Sequence, residues 1–288
     1  MAQEPHIFGK ERIVAGQQVV IAEPKKTPQG LTFLLTAANI SLSKYLSIRD
    51  ALLGADQIVV GFFINALNPL LNNHRVKAEK VRCIWDELKR DYKFKRYSVV
   101  GHSIGGKIAL LVAALHDDDG AVKSIVALDP VDQTPTEFTN KKASRNLSLT
   151  GTTASIAITF TDGGFFVSKE HNGRAINRIN PDCTTIRNHR NAGHMCYCDD
   201  EKGLSNLSWK AAMASGNDER NSFANRDALQ LITEKTQVVT AKKLFKNAKK
   251  AVQAEIKGAT DEVKGITGGP RGLAAKTAAK GFLKSAGL

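Results

Sequence analysis

The feature of this sequence that most constrains its fold is a serine held between glycines where a predicted strand meets a predicted helix. Residues 101–106 read Gly-His-Ser-Ile-Gly-Gly. Residues 96–100 before them are a short β-prone run, and residues 107–115 after them form a helical run without Gly or Pro. Glycines allow a chain to turn tightly from strand to helix. The sequence therefore predicts a sharp turn that exposes the Ser103 hydroxyl at one edge of a sheet.

Predicted strands and helices alternate on both sides of this turn. Strands are expected as a hairpin at 13–14 and 19–22 and then at 31–35, 57–64, 122–128 and 154–160, and helices near 45–53 and at 76–92. This order predicts a mostly parallel central sheet with helices on both faces. A G-x-S-x-G turn in that context is the nucleophile elbow of the α/β-hydrolase fold, which is the predicted fold class.

Positive charge is concentrated at the C-terminal end of the chain. The 288 residues carry a net charge of +13, and the stretch from Lys235 onward holds 12 Lys and Arg against three acids. From residue 240 to 256 the apolar residues fall on one face of a predicted helix and lysines occupy the remainder; the apolar residues are Leu244, Phe245, Ala248, Val252 and Ile256. We predict a hydrolase domain at residues 1–232 and a basic amphipathic helical tail at residues 233–288.

The basic tail is compatible with two roles. It can make peripheral contact with an anionic membrane surface, or it can pack on the hydrolase domain. Nucleic acid is not an expected partner, because the tail has only Phe245 and Phe282 as aromatic residues and no recognition motif. No apolar run approaches the roughly 20 residues of a membrane-spanning helix, and no N-terminal targeting peptide is visible.

A serine nucleophile needs a histidine base and a carboxylate that orients the base. In the predicted fold the order along the chain is serine, acid, histidine. Of the histidines after Ser103, His194 follows a glycine in a predicted loop and is favoured as the base, with His189 next. Asp129 ends one predicted strand and Asp162 ends the following one. Position alone slightly favours Asp162 as the acid.

Two backbone N–H groups are expected to form an oxyanion hole, which stabilises the charge on the carbonyl oxygen during acyl transfer. One belongs to Ile104, directly after the nucleophile, and Ala38 in the loop after strand 31–35 is the best candidate for the other. No cofactor and no metal are expected, because no Cys/His cluster has ligand spacing. The four cysteines are expected to be free thiols, with Cys83 on the apolar side of its helix.

Three motifs, taken in order, resemble the chlorophyllase family. They are Gly-His-Ser-Ile-Gly-Gly at 101–106, Ala-Leu-Asp-Pro-Val-Asp at 127–132, and Gly-His-Met at 193–195 followed by Asp-Asp at 199–200. The resemblance covers roughly residues 1–210. Plant members usually have arginine where this chain has Ile104, and His-Gly-aromatic where it has Thr-Ala-Ala at 36–38. Both differences fit an algal-type member.

The resemblance implies Ser103 as the nucleophile, Asp129 as the acid and His194 as the base. It further implies hydrolysis of the phytyl ester of chlorophyll to chlorophyllide and phytol in the chloroplast. Two alternatives are an esterase or lipase of the same fold that acts on other lipophilic esters, and a non-catalytic hydrolase-fold protein that binds tetrapyrroles or lipids. An intact Ser-Asp-His set argues against the non-catalytic alternative.

Overall fold

A computed structural model describes residues 8–64, 73–132, 135–140, 146–162, 169–199 and 218–237. The chain divides into two units, Met1–Gln237 and Val238–Leu288, and the described residues all belong to the first. The predicted amphipathic helix and most of the predicted tail lie outside the described residues. The boundary between 232 and 233 stays a prediction, although the last described helix continues across it to Thr236.

The described elements follow one another as a nearly regular alternation of strands and helices. They are β1 (Lys10–Val14), β2 (Gln17–Ala22), β3 (Gly30–Leu35), a 3-10 turn (Leu42–Tyr45), α1 (Leu46–Gly54), β4 (Gln57–Phe62), α2 (His74–Tyr92), β5 (Tyr97–His102), α3 (Ile104–His116), β6 (Val122–Leu128), β7 (Ser155–Thr161), α4 (Gly173–Ile179), β8 (Thr184–His189) and α5 (Asp218–Thr236). Among the described residues no helix is long and apolar enough to cross a membrane.

The strands form an eight-stranded sheet in the order β1-β2-β4-β3-β5-β6-β7-β8. The two pairings that involve β2 are antiparallel, and every pairing from β4 to β8 is parallel. The carboxyl ends of the parallel strands therefore meet at one edge of the sheet, where ligands bind in open α/β folds. This architecture confirms the predicted fold class.

Both faces of the sheet are covered, so the central strands are buried throughout. Side chains alternate between the faces: Phe33 and Val99 pack with residues of α2 and α3, whereas Leu34 and Val100 pack with residues of α1 and α5. The helical spacing read from residues 76–92 is confirmed, with Ile84 and Leu88 fully buried. The placement of Cys83 is wrong. Its side chain is exposed, because the buried stripe passes along the other side of the helix.

Three elements lie where no helix or strand is predicted: α4, β8 and α5. The strand β8 is an edge strand that pairs only with β7, and it ends at His189, a residue expected in a loop. The segment between β6 and β7 also contributes to the core, because Phe138 and Leu149 are fully buried there. Asp132 accepts hydrogen bonds from the backbone N–H groups of residues 137–139 and fixes that part of the segment.

Candidate active site

Ser103 lies on the turn between β5 and α3, at the carboxyl edge of the sheet. Its backbone has φ 58° and ψ −121°, a conformation that residues other than glycine rarely adopt. The turn is tight because two glycines touch within it: a Cβ atom on Gly101 would collide with the carbonyl oxygen of Gly105. The glycines of the motif thus allow the close approach, and the strained turn holds the serine apart from both elements. This is the nucleophile elbow that the sequence predicts.

The structure brings Ser103, His194 and Asp129 together in one hydrogen-bonded row. Ser103 Oγ lies 2.9 Å from His194 Nε2, and His194 Nδ1 lies 2.6 Å from Asp129 Oδ2. The His194 ring is 1% exposed, Asp129 is fully buried and Ser103 is 5% exposed. With Asp129 accepting from Nδ1–H, the Nε2 lone pair faces the serine hydroxyl and can take its proton.

Asp129 follows β6 and is held from several directions. Its backbone φ is 41°, which turns the residue out of the strand. Its Oδ1 accepts a hydrogen bond from the Thr161 backbone N–H at 3.1 Å, and its Oδ2 accepts one from the Thr161 hydroxyl at 2.7 Å. Its own N–H donates to the carbonyl oxygen and hydroxyl of Thr159. Hydrogen bonds from the next strand thus fix the carboxylate opposite His194.

Asp162, which strand position alone slightly favours as the acid, lies elsewhere. Its carboxylate is exposed, and its Oδ1 accepts a hydrogen bond from the Asn191 N–H at 2.6 Å. This contact fixes the start of the loop that carries His194. Asp162 therefore supports the base from a distance, and the carboxylate on the His194 ring is that of Asp129.

His189, the second candidate for the base, belongs to a second, partly buried row of hydrogen bonds that ends on the Asp129 backbone. Its Nε2 faces Asp227 Oδ2 at 2.8 Å, and its Nδ1 faces the Tyr197 hydroxyl at 2.9 Å. The Tyr197 oxygen accepts from the Thr159 hydroxyl, which in turn accepts from the Asp129 N–H. Both ring nitrogens of His189 are engaged, so the ring supports the acid and does not face the serine. No local sequence pattern indicates that these residues, which are far apart along the chain, form hydrogen bonds with one another.

The remaining histidines after the nucleophile also lie away from it. His116 is the last residue of α3, and α3 starts directly after the nucleophile. His171 Nδ1 lies 2.7 Å from the Thr139 hydroxyl. Neither ring contacts Ser103 in the structure.

Within the described part of the chain, neither predicted oxyanion donor, Ile104 N–H or Ala38 N–H, has a hydrogen-bond acceptor. Ile104 begins α3, so its N–H has no acceptor within the helix. In the loop after β3, the N–H groups of Ala37 and Asn39 donate to the Tyr45 hydroxyl and to the Ile64 carbonyl. The described residues show no such acceptor for the Ala38 N–H. Both N–H groups thus stay the candidates for the oxyanion hole, which requires two donors without another acceptor.

Residues 36–39, which include the predicted oxyanion donor Ala38, are called the oxyanion loop. This loop lies directly against the elbow. A Cβ atom on Gly105 would lie 2.5 Å from the carbonyl oxygens of both Leu35 and Thr36. The chain has alanine at position 37, and among the described residues Ala37 does not have a positive φ, whereas Asn39 has φ 59°. The left-handed residue of this loop is therefore an asparagine, which tolerates that conformation better than most residues.

The described residues offer no metal centre. No group of three or more His, Cys, Asp or Glu side chains among them could hold a metal ion. The four cysteines are thiols rather than disulfides in the structure, and Cys196 and Cys198 are buried in the loop that carries His194. What this arrangement can do is activate a serine hydroxyl and stabilise negative charge on an attacked carbonyl oxygen.

Comparisons with known proteins agree with this fold. The family described as alpha/beta hydrolase fold matches residues 77–173, a stretch that includes Ser103 and Asp129. Est1E from Butyrivibrio proteoclasticus is a similar solved structure, with a TM-score of 0.53 at 11% identity over 76% of this chain and 95% of that one. The structure of ferulic acid bound to Est1E gives a TM-score of 0.52 at 12% identity over 76% of this chain and 96% of that one. A comparison with curated protein sequences found no match. The chain has the α/β-hydrolase fold.

Proposed function

We propose that this protein is a serine esterase that cleaves carboxylic esters by two-step acyl transfer. The observation that carries the proposal is the buried row Ser103–His194–Asp129, with hydrogen bonds of 2.9 and 2.6 Å. The Ile104 and Ala38 N–H groups, for which the described residues offer no acceptor, support the proposal, because a base alone does not stabilise the charged intermediate.

In the first step, His194 Nε2 takes the proton of the Ser103 hydroxyl while Oγ attacks the ester carbonyl carbon. Asp129 keeps the Nδ1–H tautomer in place and stabilises the imidazolium that forms. The carbonyl oxygen becomes an oxyanion, which accepts hydrogen bonds from the Ile104 and Ala38 N–H groups. The imidazolium then donates its Nε2 proton to the departing alkoxide, so the alcohol leaves and an acyl-serine remains.

In the second step, water replaces the alcohol. His194 Nε2 takes a proton from the water as its oxygen attacks the acyl carbon, and the same two N–H groups hold the oxyanion. Collapse of the intermediate breaks the bond to Ser103 Oγ, which recovers its proton from the imidazolium. The products are the carboxylic acid and the regenerated enzyme.

For the substrate, we propose the phytyl ester of chlorophyll, which would give chlorophyllide and phytol, and a chloroplast location. The support is the resemblance of the motifs at 101–106, 127–132 and 193–195 to the chlorophyllases. The second of these motifs contains Asp129 and the third contains His194, which lie in one hydrogen-bonded row with Ser103. The main alternative is another lipophilic ester. Ferulic acid bound to the structurally similar Est1E makes an ester of ferulic acid a useful comparison substrate.

Turnover of three substrates by the purified protein tests both levels of the proposal. We expect release of chlorophyllide from chlorophyll, and loss of that activity by about 10³-fold or more in Ser103→Ala, with the fold retained. Hydrolysis of p-nitrophenyl butyrate or ethyl ferulate without any chlorophyllide release would leave the esterase and remove chlorophyll as its substrate. Turnover of none of the three, with pigment or lipid binding retained, would favour the non-catalytic binder.

A further inference from the structure

Two fully buried side chains beside the triad have no role in the two-step mechanism. His102 precedes the nucleophile at the end of β5, and Tyr45 ends the 3-10 turn before α1. Neither side chain has any exposed area. Their ring centroids are 5.9 Å apart, and the His102 ring lies 4.9 Å from the His194 ring.

Hydrogen bonds join these two rings to the loop after β3 on one side and to the backbone of His194 on the other. His102 Nε2 lies 2.8 Å from the backbone carbonyl oxygen of His194. On the other side of the ring, Nδ1 lies 2.9 Å from the Tyr45 hydroxyl. The Tyr45 oxygen lies 2.9 Å from the Ala37 backbone nitrogen. We call this row of contacts, from Ala37 through Tyr45 and His102 to His194, the Tyr45–His102 chain.

Each hydrogen bond of the Tyr45–His102 chain can be assigned a donor and an acceptor. A carbonyl oxygen only accepts, so His102 Nε2 must carry a hydrogen. Burial lowers the pKa of His102 well below its ordinary value, so the ring is neutral and Nδ1 is an acceptor. Burial also raises the pKa of Tyr45, which keeps its hydroxyl protonated. Tyr45 therefore donates to His102 and accepts from the Ala37 N–H, and each contact has one donor and one acceptor.

A weaker contact reaches the same ring from the base-bearing loop. The Cys198 sulfur lies 3.8 Å from His102 Nδ1, at the long end of the range for a sulfur hydrogen bond. The Tyr45 hydroxyl, at 2.9 Å, is the stronger partner of that nitrogen.

We propose that Tyr45 and His102 are positioning residues that hold the oxyanion loop and the catalytic base in register on either side of Ser103. The inference rests on the proposed esterase function. One end of the chain is the peptide N–H next to the predicted oxyanion donor Ala38. The other end is the backbone of the base itself. A displacement at either end moves a group that must meet the reacting carbonyl at hydrogen-bonding distance.

The orientation of the Ala38 N–H follows from the bonds on its neighbours. The Ala37 carbonyl accepts a hydrogen bond from the Ile40 N–H at 3.2 Å, and the Ala37 N–H is held by Tyr45. In a trans peptide the C=O and the following N–H point in opposite directions. With Ala37 fixed at both its N–H and its carbonyl, the Ala38 N–H has one direction. Loss of the Tyr45 hydroxyl removes one of these two restraints.

Substitutions that keep or remove individual hydrogen bonds test the Tyr45–His102 chain in the full-length protein. Tyr45→Phe removes the hydroxyl and leaves the ring. At position 102, Asn can keep an acceptor near the Nδ1 position, Gln can keep a donor near the Nε2 position, and Leu keeps neither. The matched control is Tyr97→Phe on the same strand as His102, because the buried Tyr97 hydroxyl has no hydrogen-bond partner in the described structure.

The measurements are kcat and KM on p-nitrophenyl butyrate, the rate of labelling by a fluorophosphonate, and the melting temperature. We expect Tyr45→Phe to lower kcat by about tenfold or more with KM changed much less, since misplacement of reacting groups by ~1 Å can cost 10²-fold. Tyr97→Phe should stay within about twofold of the wild type. At position 102, Asn and Gln should each fall between the wild type and Leu, and adding Tyr45→Phe to His102→Leu should cost little more.

The outcomes separate this inference from the proposed function. If the wild type hydrolyses the ester and reacts with the fluorophosphonate, but Tyr45→Phe and His102→Leu keep kcat within about twofold, the inference is wrong and the esterase stands. The same holds if only the melting temperature falls. If the wild type neither hydrolyses the ester nor reacts with the probe, the proposed function fails and the inference fails with it.

Discussion

At the residue scale, Ser103 and Asp129 share an uncommon backbone conformation. Both have positive φ, 58° and 41°. For a residue other than glycine, this conformation costs on the order of 1–3 kcal/mol. Both are held in place by backbone bonds to neighbouring strands, with the Ser103 N–H donating to the Leu128 carbonyl and the Asp129 N–H to the Thr159 carbonyl. The strain places the two side chains above the sheet edge, where His194 joins them.

The two candidate acids give a matched pair of substitutions. Asp129→Asn should lower kcat by about 10³-fold or more, because an NH2 donor replaces one of the two carboxylate oxygens that accept from His194 and from the Thr161 N–H. With the amide oxygen on the Thr161 N–H, the NH2 group faces His194 Nδ1 and favours the wrong tautomer of the base. Asp162→Asn keeps an acceptor for the Asn191 N–H and should change kcat by less than about threefold. Steady-state kinetics on one ester compares the two variants, with melting temperature as the control for folding. Similar losses in both would contradict the assignment of the acid.

From the sequence we predict Ser103 as the nucleophile and His194 as the base, whereas strand position slightly favours Asp162 as the acid and only the resemblance to the chlorophyllases favours Asp129. Asp129 and Asp162 end adjacent parallel strands, so strand position places both carboxylates at the same sheet edge. The bonds from Thr161 and the positive φ of Asp129 decide between them, and such three-dimensional contacts leave no local pattern. The same applies to Tyr45 and His102, which are 57 residues apart in the chain and meet only in the fold.

At the scale of elements, the first turn of α3 is packed directly on the end of β3. Gly105→Ala would place a Cβ 2.5 Å from two backbone carbonyl oxygens. We expect a loss of about 1–3 kcal/mol in the free energy of unfolding, together with lower kcat, because the oxyanion loop must move. The matched control is Gly54→Ala at the end of α1, where a Cβ meets nothing within 4 Å and stability should rise or stay the same. Urea unfolding compares the two variants, and equal effects would refute the close packing.

The start of α2 makes the fold sensitive to acid. Burial lowers the pKa of His74 to about 4, with Lys107 and Lys77 acting in the same direction. The unfolded chain takes up a proton below about pH 6.5 that the folded chain does not take up above about pH 4. This group therefore removes stability as the pH falls between those values, by about 1.4 kcal/mol per pH unit.

A His74→Gln variant isolates this effect. Above pH 7 the group contributes no pH dependence in either protein, so the comparison is between pH 7 and pH 5. Urea unfolding should show a shallower loss of stability on acidification in the variant than in the wild type. Parallel pH profiles for the two proteins would mean that His74 takes up its proton in the folded state at an ordinary pH.

Elements with strong apolar periodicity were predictable, and those without it were not. The strands β3 to β7 and the helix α2 have apolar runs or stripes that the fold buries. By contrast, β8 is an edge strand whose Ile186 is exposed, so it lacks the apolar run of a covered strand. The buried face of α5 uses small and polar residues, including Asn221, Ala224 and Ala228, which give a weak helical signal.

At the scale of the whole molecule, the proposed catalytic residues and most of the net positive charge are separated along the chain. Ser103, Asp129 and His194 precede α5, whereas the 12 Lys and Arg from Lys235 onward follow most of it. The roles of this basic tail, in membrane contact or in packing, are proposals that its composition motivates. The division of the chain at Gln237 makes removal of residues 240–288 the direct test.

Deletion of residues 240–288 should leave turnover of p-nitrophenyl butyrate largely intact and weaken binding to anionic liposomes. Each Lys or Arg near an anionic surface contributes about 1 kcal/mol, and salt screens this attraction. The difference between full-length and truncated protein should be largest at low ionic strength and absent on zwitterionic liposomes. If the truncated protein is unfolded instead, the apolar stripe belongs to the core and the membrane proposal is wrong.

The most direct test of the central claim is where an active-site phosphonate attaches. The purified full-length protein is treated with a fluorophosphonate, digested, and analysed by mass spectrometry. Because His194 and Asp129 activate only one hydroxyl, we expect a single adduct, on Ser103, at close to one equivalent per chain, and no adduct in Ser103→Ala. An adduct on another serine, or none on the folded wild-type protein, would contradict the account.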